Sequence, residues 1–155
     1  MQKTNAIRIL EKRNIGFEVL SYSAEDGKIS GVEVAEKIGV PFDDMFKTLV
    51  CEGKEKHYVF LVPVHKELDT RKAAAVTKEK SIEMVSQKTL LPLTGYIHGG
   101  CSPIGMKKLF GTWIDISAQE KERIVVSAGK VGVQIKVSSK ELALVTEASF
   151  ALIIK

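Results

Sequence analysis

The spacing of apolar residues changes along the chain between a helical and a strand-like period. Apolar residues 6, 7 and 10 recur at helical spacing behind Thr4, which is a suitable N-cap residue. The segment GFEVLSY at 16–22 alternates like a strand. GVEVAEKIGV at 31–40 returns to helical spacing, and Gly39 predicts the end of that helix.

The middle of the chain predicts a hairpin followed by a helix. MFKTLVCE at 45–52 and HYVFLVPV at 57–64 are apolar, partly β-branched runs joined by the charged GKEK, which favours an antiparallel hairpin. LDTRKAAAVT at 68–77 predicts a helix capped by Asp69. SIEMV at 81–85 predicts a short strand, and SQKTLLPL at 86–93 a helical turn.

The last third predicts three more strands and two capped helical segments. TWIDI at 112–116 reads as a strand, and Ser117 with Glu120 has capping-box spacing. Two further strands, RIVVSA and VGVQIKV, flank the turn GKVG at 129–132, and Ser138 with Glu141 repeats the capping-box pattern before a last helix. We therefore expect an α/β (α+β) chain with one domain over residues 1–155. Its sheet is expected to be curved, barrel-like, mixed and mainly antiparallel, surrounded by short helices.

Composition narrows the class of protein only moderately. The 155 residues are 45% hydrophobic and 27% charged, which is typical of a soluble globular protein. The net charge of +4 is compatible with a nucleic-acid partner but also common without one. Two cysteines and an N-terminus without an uninterrupted apolar region favour the cytoplasm. No apolar run approaches the roughly 20 residues of a membrane span, so we expect no membrane association.

Several familiar kinds of site find no support in the sequence. The three histidines and two cysteines are scattered without metal-ligand spacing, so we expect no metal site. They are His57, His65, His98, Cys51 and Cys101. Neither a phosphate-binding P-loop nor a G-x-S-x-G nucleophile turn is present.

Three features nevertheless invite a chemical interpretation. The glycine-rich TGYIHGGCSPIG at 94–105 contains Cys101, which is either a nucleophile paired with His98 or a small buried filler. Lys47 lies among apolar residues, where a lysine either extends to water or is held in a cleft as a cation for a phosphate or a developing negative charge. VSAGKVG at 126–132 is either a simple hairpin turn or a second backbone surface of the same site.

The combination of three segments resembles a known family. FKTLV at 46–50, TGYIHGGCSPIGMKK at 94–108 and VSAGKVGVQI at 126–135 resemble the YbaK/EbsC family of Cys-tRNA(Pro) and related aminoacyl-tRNA deacylases. That family is similar to the editing domain inserted in bacterial prolyl-tRNA synthetases. The likeness covers nearly the whole chain and implies a single-domain α/β fold with a curved mixed sheet and an editing pocket.

The resemblance also implies roles for individual residues. The family's essential lysine falls on Lys47, and the Gly-Gly pair that borders the aminoacyl ester falls on Gly99 and Gly100. The positions implied to bind substrate are Tyr22, Thr48, Ser127 and Gly129. Lys107, Lys108 and Lys130 are candidates for RNA phosphates, although solvated surface is the ordinary interpretation of such lysines.

The late turn departs from the family pattern. The family more often has Ser-Gly-Gly-Lys-Arg-Gly, whereas residues 127–132 here place Ala128 and Val131 at the second and fifth positions. The missing arginine is expected to weaken a phosphate contact, and Ala128 to reshape the pocket floor. Cys101 occupies a position at which the resemblance allows several small or apolar residues, which argues against a required nucleophile.

The function implied by the resemblance is removal of cysteine from mischarged Cys-tRNA(Pro), and also from Cys-tRNA(Cys). The substrate's own thiol would attack its ester, so no cofactor is expected, and the protein would supply positioning and charge stabilisation. The expected partners are tRNA and prolyl-tRNA synthetase, with a monomer favoured. Two alternatives remain: a non-catalytic module of the same fold that binds tRNA or synthetase, and a deacylase of Ala-tRNA(Pro), in which water must attack.

Overall fold

Short helices and strands follow one another along residues 3–155, the part of the chain that the computed structural model describes. The helices are α1 (Asn5–Lys12), α2 (Gly31–Ile38), α3 (Thr70–Thr77), α4 (Gln87–Thr94) and α5 (Ser139–Thr146). The strands are β1 (Phe17–Ser21), β2 (Phe46–Glu52), β3 (His57–Pro63), β4 (Glu83–Met84), β5 (Gly111–Asp115), β6 (Arg123–Lys130), β7 (Val133–Ser138) and β8 (Ser149–Ala151). Two short 3₁₀ segments, Phe42–Asp44 and Ile116–Glu120, complete the regular structure.

Most predicted helix boundaries are confirmed by side-chain caps. The Thr4 hydroxyl accepts a hydrogen bond from the Ile7 amide at 3.2 Å and begins α1. Asp69 caps α3 in the same way, and Ser138 caps α5 by accepting from the Glu141 amide at 3.2 Å. Helix α2 ends at Gly39, which adopts φ +71° as the left-handed C-cap.

The predicted cap at Ser117 is wrong. Asp115 provides the cap instead, because one carboxylate oxygen accepts from the Ser117 amide at 3.2 Å and the other from the Ile153 amide at 3.1 Å. Ser117 is therefore already inside the 3₁₀ segment. Strand β8 was also not expected from the sequence. It pairs in parallel with β5, a long-range contact that local periodicity does not encode.

The strands form two sheets. The smaller sheet has the order β1-β7-β6 and is antiparallel throughout. The larger sheet has the order β4-β2-β3-β5-β8, in which the predicted β2–β3 hairpin is antiparallel and the β3–β5 and β5–β8 pairs are parallel. The prediction of a mixed, mainly antiparallel α/β fold is confirmed. A parallel bridge between Met45 and Val125 joins the sheets, whereas a closed barrel is not formed by residues 3–155.

The main core lies between the two sheets and extends under α1 and α5. Buried residues Phe46 and Val50 of β2 pack there with Val126 of β6 and Ile135 of β7. A second cluster on the other face of the larger sheet lies under α3, and a third packs α2 against Met45 and Val125. The start of β2 therefore lies where the two sheets and α2 meet.

Candidate active site

A cavity of about 370 Å³ opens along β2 at the meeting point of the two sheets. The predicted site residues that line it are Tyr22, Lys47, Thr48, Gly99 and Ser127. They come from separate parts of the chain: the residue after β1, the start of β2, the glycine-rich loop and the bulged end of β6. The fold thus brings together residues that are up to 105 positions apart in the sequence, from Tyr22 to Ser127.

Lys47 contributes the cavity's cationic group. It is half-buried in β2, opposite Val62 of β3, and makes no ion pair within residues 3–155. Burial lowers the pKa of the Lys47 ammonium, and the more distant charge of Glu67 opposes part of that shift. A desolvated lysine without a carboxylate partner is well suited to bind an anionic or developing negative group.

Three buried polar atoms of the cavity wall have no hydrogen-bond partner within residues 3–155. They are the Tyr22 hydroxyl, the Thr48 hydroxyl and the Gln134 side-chain oxygen. A buried polar atom left unpaired costs about 1–3 kcal/mol, so these three atoms are candidates to pair with a polar ligand or with water in the cavity.

Gln134 is the functional candidate that sequence reasoning missed. It lies on β7 directly opposite Ser127, is 5% exposed and lines the cavity. In VGVQIKV the alternating pattern assigns Gln134 to a solvent-facing side. The predicted hairpin contained the missing signal, because its register pairs Gln134 with a residue already expected in the pocket.

The two glycines of the Gly-Gly pair, Gly99 and Gly100, have different structural roles. Gly99 lines the cavity with φ +85°, and a Cβ there would lie 2.8 Å from Ile29 Cδ1. Gly100 is buried, and a Cβ there would lie 2.9 Å from the Val131 amide nitrogen. The Gly100 amide also donates to the Ile97 carbonyl at 3.0 Å, so this N–H is already used. Gly100 therefore fits the glycine-rich loop against the late turn.

The same two segments meet again at Gly129 and Tyr96. Gly129 has φ +99°, and a Cβ there would lie 2.7 Å from the Tyr96 ring. The Tyr96 hydroxyl donates to the Ile104 carbonyl at 2.6 Å. The hydroxyl of Thr94, the last residue of α4, donates to the Leu90 carbonyl at 2.8 Å. The contact between Tyr96 and Gly129 thus packs the glycine-rich loop against the late turn.

Cys101 lines the cavity as a neutral thiol. Burial raises its pKa to about 12, although a hydrogen bond with Thr94 partly opposes that effect. His98 is exposed, and within residues 3–155 it makes no hydrogen bond to Cys101. The chemistry of a thiolate nucleophile requires a lowered pKa, so the geometry favours the interpretation of Cys101 as a packed side chain.

The remaining predicted residues do not line this cavity. Lys107, Lys108 and Lys130 are exposed. Lys107 donates to the Pro92 carbonyl at 3.3 Å, while Lys108 borders two other cavities of about 580 and 180 Å³. Ala128 is fully buried in the main core, and Val131 is half-buried beside Gly99.

Two further findings concern the described part of the chain. Within residues 3–155 no group of three or more His, Cys, Asp and Glu side chains is arranged to hold a metal ion. The helices found there are all too short or too polar to cross a membrane.

Comparison with known proteins places this geometry in a family. The profile of the aminoacyl-tRNA editing domain matches residues 27–144. The chain is 40% identical over 151 residues to a protein of Enterococcus faecalis provisionally named Cys-tRNA(Pro)/Cys-tRNA(Cys) deacylase EbsC, covering 97% of this chain and 92% of that protein. It is 29% identical over 100 residues to the proline–tRNA ligase of Shouchella clausii, covering 64% of this chain and 18% of the ligase.

A solved structure supports the same assignment at the level of the fold. A provisionally assigned trans-editing enzyme for prolyl tRNA synthetase superposes with a TM-score of 0.87 at 24% identity, covering 100% of this chain and 99% of the other. The matched profile includes the cavity-lining strands β2, β6 and β7. The chain therefore belongs to the aminoacyl-tRNA editing domain family.

Proposed function

We propose that this protein removes cysteine from Cys-tRNA(Pro), and also from Cys-tRNA(Cys), as the name of its relative from Enterococcus faecalis states for that protein. The observation that carries the proposal is the cavity of about 370 Å³ in which Lys47 lies with three unpaired polar atoms. A cysteinyl ester on a terminal adenosine offers the matching groups: an ammonium, a carbonyl, a thiol and ribose hydroxyls.

The proposed reaction uses the substrate's thiol as the nucleophile. Its sulfur attacks the ester carbonyl carbon, a C–S bond forms, and the C–O bond to the ribose breaks. The thiol proton passes to the leaving 3′ oxygen, so the products are a cysteine thiolactone and free tRNA. The Lys47 ammonium stabilises the negative charge that develops on the carbonyl oxygen, or pairs with the permanent charge of the neighbouring phosphate. A thiol of the protein is not required, which agrees with the raised pKa of Cys101.

The polar wall then holds the substrate in a reactive geometry. The Gln134 oxygen can only accept, so it suits a donor such as the substrate ammonium. The Tyr22 and Thr48 hydroxyls can donate or accept, and Ser127 lies beside Gln134. Gly99 borders the ester, and we assign Gly100 and Gly129 to the support of that wall. Positioning of this kind accelerates an intramolecular attack because it removes unproductive conformations.

The remaining expectations belong to the same proposal. One editing domain comprises residues 1–155, and the two sheets joined at Met45 and Val125 act as a barrel-like wall around the cavity. The protein works as a monomer in the cytoplasm on the acceptor end of tRNA, with prolyl-tRNA synthetase as a partner. Lys107, Lys108 and Lys130 contact RNA phosphates outside the cavity.

The deciding experiment compares purified variants on Cys-, Ala- and Ser-charged tRNA(Pro). We expect wild type to act on the cysteinyl ester, Lys47→Ala to lose about 100-fold or more of that activity, and Cys101→Ala to retain it. Lys140→Ala is the matched control, because Lys140 is exposed on α5. Preference for the alanyl ester would replace the thiol mechanism by attack of water. Loss of activity in a folded Cys101→Ala variant would contradict the mechanism.

A further inference from the structure

The segment from Tyr22 to Ser30 forms one wall of the cavity, and we infer that Lys37 is the positioning residue that holds this wall in place. Tyr22, Ile29 and Ser30 line the cavity. The kinetic part of this inference depends on the proposed deacylation, whereas its structural part does not.

Both ends of the segment are fixed by the fold. At one end, the Tyr22 amide donates to the Gly132 carbonyl at 3.0 Å and so continues the β1–β7 pairing. At the other end, Ser30 and Glu33 form a complete capping box that begins α2. The middle, residues 25–28, is exposed, so apolar packing does not hold it.

Lys37 supplies the bonds that the middle of the segment lacks. Its ammonium donates to the Ser23 carbonyl at 2.8 Å, to the Lys28 carbonyl at 2.9 Å and to Asp26 Oδ1 at 2.7 Å. An ammonium has three donors, so one side chain from the last turn of α2 is fully used by this segment. Asp26 is held in turn by the Lys28 amide, which donates to the same Oδ1 at 3.0 Å.

The same ammonium also lies over the ring whose hydroxyl enters the cavity. Lys37 Nζ is 5.9 Å from the centroid of the Tyr22 ring, within the range of a cation–π interaction. The Tyr22 hydroxyl is one of the unpaired buried atoms of the cavity. Lys37 thereby connects the backbone of the segment to the orientation of Tyr22.

This arrangement differs from an ordinary surface ion pair. An exposed pair between a lysine and a carboxylate contributes little, because water screens it and both side chains lose freedom. These bonds lie at the surface, but two of the three Lys37 acceptors are backbone carbonyls, and its side chain is 23% exposed against 49% for Asp26. We therefore expect loss of Lys37 to loosen one wall of the cavity while the core remains folded.

The kinetic test uses Lys37→Met with Lys28→Met as the matched control in the same segment. The Lys28 side chain is exposed, so its loss should leave KM unchanged. For Lys37→Met we expect KM for Cys-tRNA(Pro) to rise about tenfold with kcat changed by less than about twofold. Lys37→Arg should restore most of the loss, since a guanidinium can donate to the same carbonyls.

A double-mutant cycle tests the connection through Tyr22. If Lys37 acts through that ring, Tyr22→Leu combined with Lys37→Met should raise KM no more than about twofold beyond Tyr22→Leu alone. Fully additive effects would contradict the inference, because they would mean that Lys37 acts independently of Tyr22.

A readout that needs no deacylase activity separates the two proposals. Trypsin should cleave after Lys28 about tenfold faster in Lys37→Met than in wild type, because the Lys28 carbonyl loses its partner. Mass spectrometry of the fragment ending at Lys28 measures that rate. Faster cleavage in a protein that does not deacylate any tRNA would support the positioning role of Lys37 and reject the proposed function. Unchanged cleavage together with unchanged KM would reject that positioning role.

Discussion

The glycine-rich loop at 94–105 and the polar cavity wall lie side by side, but their buried polar groups differ in hydrogen bonding. In the loop, the Thr94 and Tyr96 hydroxyls donate to carbonyls, and the Ser102 hydroxyl accepts from the Ile104 amide at 3.2 Å. In the wall, the Thr48 hydroxyl and the Gln134 oxygen have no partner within residues 3–155.

This difference separates residues that support the site from residues whose polar atoms are free to contact a ligand. A motif can be prominent in a sequence because its side chains and missing side chains fit the fold, as at Tyr96 and Gly100. A residue without any motif becomes a candidate for ligand binding when its polar atom is buried and unpaired in a cavity wall, as at Gln134. The pairing of buried polar atoms therefore points to candidates in the cavity wall that prominence in the sequence does not.

The largest effect on stability is expected from Gly100→Ala. Its Cβ would lie 2.9 Å from the Val131 amide nitrogen and 3.1 Å from the Lys130 carbonyl carbon, and backbone atoms cannot rotate away. We expect the free energy of unfolding to fall by about 1–3 kcal/mol, measured by urea denaturation. The protein that remains folded should retain most of its deacylase activity.

The neighbouring glycine provides the contrast. Gly99→Ala is strained at φ +85°, but the atom that its Cβ meets is Cδ1 of Ile29, the end of a flexible side chain that lines the cavity. This variant should lose about tenfold in activity for a smaller loss of stability. Gly16→Ala is the control, because no atom lies within 4 Å of its Cβ position. Equal losses of activity in both loop variants would break the distinction between support and wall.

The next prediction is that Gln134 lowers the stability of the protein but contributes to its deacylase activity. Methionine has a similar length without the amide, so Gln134→Met removes an unpaired buried oxygen. We expect the free energy of unfolding to rise by about 1 kcal/mol while deacylation falls about tenfold. A drop in stability with unchanged activity would show instead that the amide is structurally paired.

The sequence predicted local elements of the fold better than long-range ones. Caps at Thr4 and Asp69 and the β2–β3 hairpin depend on neighbouring residues, and they were confirmed. Strand β8 depends on parallel pairing with a distant strand, and the Ser117 cap failed because Asp115 begins the 3₁₀ segment two residues earlier. Gln134 was missed because alternation alone does not reveal that a ligand cavity covers one face of a sheet.

A smaller effect should distinguish two threonines whose hydroxyls differ in hydrogen bonding. Thr48→Val removes a buried hydroxyl that lacks a partner, so stability should stay constant or rise by up to about 1 kcal/mol. Thr146→Val removes a hydroxyl that donates to the Leu142 carbonyl at 2.8 Å, so stability should fall by about 0.5–1.5 kcal/mol. Thermal unfolding of both variants measures the difference. Similar losses in both would mean that the Thr48 hydroxyl is satisfied in solution.

The smallest expected effect is the slow reaction of the Cys101 thiol with a thiol reagent. Cys101 belongs to both regions, because it follows the Gly-Gly pair of the loop and lines the cavity. Burial raises the pKa of both Cys101 and Cys51 to about 12, so only about one thiol in 10⁴ is ionised at pH 8. Ellman's reagent should therefore label the native protein slowly and the unfolded protein at two thiols. The unfolded thiols ionise near the ordinary value of 9.0, so the unfolded state loses protons first and stability falls as the pH rises above 9. If one thiol is instead labelled within seconds at pH 7, and this labelling is abolished in Cys101→Ala, Cys101 is a thiolate. Cys101 would then be a candidate nucleophile rather than a packed side chain.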